Sequence, residues 1–161
     1  MTMITEKAKR EQLAKHLDGG MAFASIDSFL DNIPFEKIGL RPAGLPYSFY
    51  EVFFHIAFAQ KDILEYSISG EYKTSSWPDD YWPDVPEPGS EAEWEDLKAE
   101  YFEDLRIFQD FILDPKNDLD APVRNSEEHT LLREILLVVE HTAYHTGQLL
   151  LIQRLLGVYD N

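Results

Sequence analysis

The sequence contains no cysteine. The chain therefore forms no disulfide bond, offers no thiolate to a metal ion and has no cysteine nucleophile. Its stability must come from a packed core instead. Of its 161 residues, 44% are hydrophobic and 13% aromatic, which is sufficient for a chain of this size to fold without a covalent or metal staple. We expect one domain over residues 1–161.

Basic residues are also scarce. Lysine and arginine total 14 against 30 aspartate and glutamate residues, which gives a formal net charge of −16. Duplex nucleic acid carries about one negative charge per 1.7 Å of its axis and would be repelled by such a surface. This charge balance argues strongly against direct binding to nucleic acid and to anionic membranes.

Long hydrophobic runs are missing as well. The longest apolar stretches cover residues 135–139 and 149–152, whereas a membrane-spanning helix needs about 20 such residues. Residues 1–10 lack the apolar segment of a signal peptide. We therefore expect a cytoplasmic protein without a membrane segment.

What the sequence does contain is helical periodicity. Four helices are predicted, at about residues 5–30, 48–69, 90–113 and 126–156. Gly19 and Gly20 interrupt the first, so this segment forms either two helices or one kinked helix.

The starts of the other three helices carry capping signals. Ser48 with Glu51, and Ser90 with Glu93, have the spacing of capping boxes, and Ser126 is the predicted N-cap of the last helix. The connections between the helices are long and contain proline. The pattern predicts an all-α protein, a four-helix bundle, with the aromatic-rich connection 71–89 packed on its surface.

Two of the five histidines share one face of the last helix. His141 and His145 are four residues apart, so their Cβ atoms lie about 6 Å apart. Two imidazoles at this spacing can converge on one cation at about 2.0–2.1 Å each. Because the flanking residues are apolar, the pair faces a core in which its polar atoms must be satisfied.

A third histidine, His55, lies in the middle of the apolar second helix. Bundle helices pack about 8–10 Å apart, so His55 could meet the pair and complete a three-histidine site for Zn²⁺ or Ni²⁺. The spacing alone does not join His55 to the pair. The alternative interpretation of His55 is a hydrogen-bonded histidine in the core. The alternative for His141 and His145 is a pair that binds no metal ion.

The other two histidines are predicted to lie outside this site. His16 belongs to a polar stretch and is predicted to be on the surface. His129 is twelve residues before His141, which places it about 120° from the metal-binding face. We expect His129 to be a polar residue of the first turn of the last helix.

Several motifs along the chain resemble those of one known family. The segment 141–148, HTAYHTGQ, resembles the C-terminal motif of the DinB-like (YfiT-like) metalloenzyme superfamily. The stretch 41–48 that leads to His55, and the Tyr81-Trp82-Pro83 sequence before an acidic helix, also fit. The resemblance extends from about Arg41 to Gly157. The sequence departs from many relatives in having Phe54 directly before the first ligand position.

The resemblance implies a four-helix bundle in which His55, His141 and His145 bind one divalent metal ion, and it implies a homodimer. It also implies an enzyme acting on a small molecule, most plausibly a thiol-dependent transferase that uses a low-molecular-weight thiol such as bacillithiol or mycothiol, or a hydrolase. The alternative is a bundle protein that binds a metal ion or small molecule without catalysis.

Further residues near the predicted site are candidates for supporting roles. Tyr144 and Gln148 flank the histidine pair and are the candidate catalytic residues, since a tyrosine hydroxyl can orient water or donate a proton; a buried Tyr144 bonded to a carbonyl is the alternative. Glu51 and Asp62 lie one and two turns from His55. Glu51 already serves the capping box, and Glu134 is expected at the surface.

Overall fold

The computed structural model describes residues 5–159, so the ends of the predicted domain, residues 1–4 and 160–161, lie outside it. The described chain is all-helical, as predicted, and contains no β-strand. Its five helices are α1 (Glu6–Leu17), α2 (Ile26–Asn32), α3 (Phe49–Ile68), α4 (Glu91–Leu113) and α5 (Leu131–Leu155).

The first predicted helix is two helices rather than one kinked helix. α1 ends at Leu17, and Gly19 and Gly20 follow with φ angles of 70° and 74°. Both glycines occupy the left-handed region, which a continuing right-handed helix does not allow. The chain therefore turns here and starts again as α2 after Ser25.

The two predicted capping boxes differ. At α3 the Ser48 side chain accepts from the Glu51 amide at 3.2 Å, and the Glu51 carboxylate accepts from the Ser48 amide at 2.7 Å, which is a complete box. At α4 Ser90 caps the helix, but the Glu93 carboxylate accepts from the Gly89 amide instead. The second box is therefore only half formed.

The predicted N-cap of α5 is wrong by four residues. Thr130 caps the helix and accepts from the Arg133 amide, while Ser126 accepts from the amides of Glu128 and His129 in a turn before it. The backbone explains the difference: the Val123 amide donates to the His129 carbonyl at 2.8 Å. This closed loop occupies residues 123–129 and delays the helix.

Helix α3 is the centre of the core, since it packs against both α4 and α5, and α1 packs against α4 and α5 as well. Fully buried aromatic and aliphatic side chains fill the interior; the largest include Phe49, Phe53, Phe108, Ile135 and Leu149. The aromatic connection 71–89 also packs on α3 and contains a 3-10 turn at Asp79–Tyr81 that contacts this helix.

One described helix, α5, is long and apolar enough to cross a membrane by length and composition. It is partly buried inside the protein and contacts α1, α2 and α3. It also carries the buried polar residues Glu134, His145 and Gln153. These are the properties of the core helix of a globular protein, and α5 is consistent with a soluble chain.

Candidate metal centre

The structure brings together the three histidines that the sequence predicted as ligands. His55 lies midway along α3, and His141 and His145 lie on the facing side of α5. His55 and His145 are buried, with 2% and 7% of their surface exposed, and His141 is half-buried. Since α3 packs directly against α5, the tertiary contact joins His55 to the pair.

The three rings are close enough to share one ion. The Nε2 atoms of His55 and His141 are 3.0 Å apart, and one potential ligand atom from each histidine lies within 4.8 Å of the others. Nitrogens on a tetrahedral zinc ion with bonds of about 2.0–2.1 Å would be roughly 3.3 Å apart. Only small ring movements therefore separate this arrangement from a coordination shell.

The loop before α4 fixes the orientation of His55. The Nδ1–H group of its imidazole donates to the Tyr81 carbonyl at 3.1 Å. The Trp82 ring stacks on the imidazole at 4.2 Å between centroids, with 6° between the planes. With Nδ1 protonated by this bond, Nε2 keeps its lone pair and points at His141.

Asp62 holds that loop in place. Its carboxylate accepts hydrogen bonds from the hydroxyls of Tyr81 at 2.7 Å, and of Tyr72 and Ser75 at 3.1 Å each. It therefore acts on His55 indirectly, through the Tyr81 segment. Burial and the Asp62 carboxylate raise the pKa of Tyr72 to about 12 and that of Tyr81 further, so both hydroxyls stay protonated as donors.

Gln148 orients His145 in a similar way. The Gln148 Oε1 atom accepts from the Nδ1–H group of His145 at 2.5 Å, and its amide nitrogen donates to the Tyr47 hydroxyl at 3.1 Å. The amide is held from both sides, so the imidazole presents Nε2 to the other two rings. Gln148 thus lies behind the ring of a candidate ligand.

Burial keeps the three imidazoles neutral. Desolvation, with a smaller contribution from the neighbouring histidines, lowers the pKa of His55 to about 4 and that of His141 to about 3. Desolvation also lowers the pKa of His145. Only the neutral imidazole has a lone pair for a metal ion. Near pH 7 the site is therefore in the protonation state that binding requires.

These observations show that the residues fit a divalent metal ion. Two of the rings have their second nitrogen committed to an acceptor, which is the usual arrangement around histidine ligands. Three neutral nitrogen donors suit Zn²⁺ or Ni²⁺ better than the oxygen-preferring Mg²⁺ or Ca²⁺. The cluster therefore fits a metal-binding protein.

A cavity of about 550 Å³ opens beside the histidines, between α3, α5 and the aromatic loop. Its wall is mainly aromatic and aliphatic, and all three histidines contribute to it. Tyr144 stands at its edge with 69% of its surface exposed and its ring against His145 at 4.9 Å. The alternative of a buried Tyr144 bonded to a carbonyl is wrong.

Other predicted residues lie elsewhere. Glu51 forms a two-bond ion pair with Arg41, which lowers the pKa of Glu51 despite its burial, and does not serve the histidines. His16 is exposed, as predicted.

Two predictions about the beginning of α5 are wrong. Glu134 is not at the surface: it is 1% exposed and binds Arg133 at 2.8 Å. His129 precedes the helix instead of joining its first turn, and its Nδ1 atom is 3.0 Å from the Tyr66 hydroxyl. All four residues line the cavity away from the three-histidine cluster.

The supporting contacts of Tyr81, Trp82 and Tyr47 were not predicted from the sequence. The Tyr81-Trp82-Pro83 motif and the aromatic content of the loop were the available signals, and they indicated packing without a partner. Every residue has a backbone carbonyl, so the identity of residue 81 does not indicate that its carbonyl accepts a hydrogen bond from a histidine. The role of the Tyr81 carbonyl therefore could not be predicted.

Comparison with known proteins places this centre in a family. A family profile described as the DinB superfamily matches residues 21–149, which include all three histidines. The chain belongs to the DinB superfamily. Searches of curated proteins and of solved structures found no significant match.

Proposed function

We propose that this protein is a divalent-metal-dependent enzyme of the four-helix DinB type, with His55, His141 and His145 as its metal ligands. Its reaction is the transfer of a low-molecular-weight thiol to a small electrophilic molecule, with hydrolysis of a small molecule as the related alternative. A divalent ion bound here would supply Lewis acidity, which lowers the pKa of a coordinated thiol or water.

The observation that carries this proposal is the position of the histidines in the wall of a 550 Å³ cavity. Within residues 5–159 the cluster has three protein ligands, and catalytic zinc sites use three while structural sites are closed by four. An ion held by these three histidines would keep a coordination position for a small molecule from the cavity that they line. Because the protein has no cysteine, the thiol must come from a cosubstrate.

Tyr144 and Gln148 have different roles in this proposal. Tyr144 lines the cavity beside His145, and its hydroxyl is the candidate proton donor to a leaving group. Gln148 supports the reaction by holding the His145 tautomer, since its amide is bonded behind that ring. Asp62 does the same for His55 through the loop.

The first test measures metal content. Purified wild-type protein, dialysed against Zn²⁺ or Ni²⁺ and analysed by elemental mass spectrometry, is expected to hold about one ion per chain. His145→Ala is expected to lose most of it, while His16→Ala, which removes an exposed histidine, is the matched control and keeps it. Equal occupancy in all three proteins would contradict a site at the cluster.

The second test separates catalysis from simple binding. Zinc-loaded protein is mixed with bacillithiol, mycothiol or glutathione and with monochlorobimane, from which the thiol displaces chloride to give a fluorescent thioether. We expect the loaded wild type, but not His145→Ala, to accelerate thioether formation with at least one thiol. Thiol binding without acceleration would favour the non-catalytic binding protein.

A further inference from the structure

The cavity extends well beyond the three histidines. On α5 its wall runs from His145 back to Arg133 and Glu134, and on α3 it runs from His55 to Tyr66. Arg133 precedes His141 by eight residues, a distance of about 12 Å along the helix at a rise of 1.5 Å per residue. The cavity is therefore elongated, with the metal centre at one end.

The far end is polar and carries a fixed cation. Arg133 and His129 both line the cavity there, with 48% and 44% of their side chains exposed. The Glu134 carboxylate, 1% exposed, accepts from Arg133 Nη1 at 2.8 Å. Tyr66 contacts His129 at 3.0 Å.

The ion pair leaves part of the guanidinium available. Among residues 5–159, the Arg133 guanidinium donates a hydrogen bond to Glu134 alone, and this bond occupies only Nη1. The edge formed by Nε and Nη2 can still donate two parallel hydrogen bonds, a geometry that matches a carboxylate. The Glu134 carboxylate is 1% exposed whereas the Arg133 side chain is 48% exposed, so the groups that a ligand can reach at this end are the donors of Arg133.

The middle of the cavity is apolar. Ala59, Ile63 and Leu137 line it between the two ends, and Tyr72 and Trp77 contribute aromatic surface. A molecule that extended from the histidines to Arg133 would place hydrocarbon or aromatic atoms against these side chains, where burial is favourable at about 25 cal/mol per Å² of apolar surface.

We infer that the cavity binds an elongated molecule with a carboxylate at the end remote from the metal centre, and that Arg133 binds this carboxylate. The inference rests on the proposed function, because the proposed function places the other end of the molecule at the three histidines. The net charge of −16 disfavours the approach of anions in general, so selection of a carboxylate depends on the local guanidinium.

The test uses thiols of defined length on the zinc-loaded protein. An extended chain gains about 1.2 Å per bond, so ω-mercaptooctanoate, with nine bonds from sulfur to oxygen, spans about 11 Å and mercaptopropionate, with four, about 5 Å. Each is compared by titration calorimetry with the mercaptoalkanol of the same length, which ends in a neutral hydroxyl group.

We expect wild-type protein to bind mercaptooctanoate at least about tenfold more tightly than mercaptooctanol, the effect of a charge-assisted bond, and to show no such preference within the shorter pair. Arg133→Gln is expected to lose the preference but still bind mercaptooctanol, which shows that its site is intact. Arg106→Gln removes the same charge from an exposed pair on α4 and is expected to keep the preference.

Two results would overturn the inference: equal affinities for the long carboxylate and alcohol in wild type, or a preference that survives in Arg133→Gln. If Arg133→Gln does not fold, Arg133→Lys is used, and it is expected to lose most of the preference because lysine lacks the planar fork. If the protein does not bind zinc, the proposed function fails, and octanoate against octanol on the metal-free wild type and variants decides the inference in the same way.

Discussion

Gln148 illustrates how one side chain can orient a histidine of the candidate metal site from behind its ring. Its Oε1 atom accepts a hydrogen bond from His145 Nδ1–H at 2.5 Å, which fixes the tautomer of that ring. Its amide nitrogen donates to the Tyr47 hydroxyl, which holds the amide in place. The family motif placed Gln148 beside the histidine pair, and the structure specifies the atom that it contacts. Its proposed function is therefore to prepare a ligand.

We expect Gln148→Leu to weaken zinc binding by about 10–100-fold, the usual effect of removing a hydrogen-bond partner of a histidine ligand. Gln148→Glu keeps an acceptor for the Nδ1–H group of His145 and should recover most of the affinity. The measurement is competition with a chelating dye. Gln109→Leu, which removes a similar hydrogen-bonded amide on α4, is the control, and an equal effect from it would contradict this role.

Protonation of the histidines also acts at the scale of single residues. Burial lowers the pKa of His55 to about 4 and that of His141 to about 3 in the folded chain, whereas the value in an unfolded chain is about 6.5. As the pH falls below about 6.5, the unfolded state binds protons that the folded state does not, so stability is lost. In the folded chain, His55 and His141 stay neutral until about pH 4.

For metal-free protein in a chelator, we expect the free energy of unfolding from urea titrations to include a loss of up to about 1.4 kcal/mol per pH unit for each of His55 and His141 between pH 6.5 and 4.5. Carboxylates titrate in the same range, so the informative quantity is the difference between wild type and His141→Gln. As the pH falls, the free energy of unfolding of the variant should decrease less steeply than that of wild type, and the difference in slope should equal the contribution of one histidine. Parallel profiles would mean that His141 is not buried in its neutral form.

At the scale of elements, the aromatic loop between α3 and α4 is part of the candidate metal centre. Its Tyr81 hydroxyl binds Asp62 on α3, and its Tyr81 carbonyl binds His55 on the same helix. One residue thus ties the loop to two positions of α3. A movement of this loop would release the His55 ring.

We expect Tyr81→Phe to reduce stability by about 1–2 kcal/mol, since it removes a hydrogen bond to a carboxylate, and to weaken zinc binding as the carbonyl contact loosens. Tyr72→Phe is the matched control, because Tyr72 donates to the same Asp62 without a contact recorded to His55. Thermal unfolding and zinc titration of both variants separate the two effects. Equal zinc affinities in the two variants would show that the loop does not position the ligand.

The whole molecule combines strong negative charge with an apolar surface on α5. Leu136, Leu151 and Leu155 are 53%, 46% and 53% exposed, and a charge of −16 opposes association everywhere except where apolar surface is buried. We propose that the protein is a homodimer, as the family resemblance implied, and that this surface forms the contact.

Light scattering at micromolar concentration is expected to give a mass of two chains for wild type and of one chain for Leu151→Glu, which places a charge in the proposed contact. Phe102→Glu introduces the same charge at an exposed aromatic residue on α4 and should remain dimeric. A monomer mass for wild type would refute the dimer, and dissociation by Phe102→Glu would place the contact on α4.

Local sequence patterns predict much of this fold and of the candidate site. The 3.6-residue periodicity predicted the helices, the paired glycines marked the break before α2, and Ser48 with Glu51 predicted a complete cap. The i, i+4 spacing placed His141 and His145 on one face. Such features depend on residues within one or two turns of each other, so the sequence determines them by itself.

Tertiary structure decided everything that depends on contacts between distant segments. Only the packing of α3 on α5 joined His55 to the pair, and only the fold of the aromatic loop brought a backbone carbonyl to His55. The burial of Glu134 and the late start of α5 follow from the loop that precedes the helix. The physical reason is that burial and backbone hydrogen bonding depend on which segments meet, and residue types in one segment do not specify its neighbours.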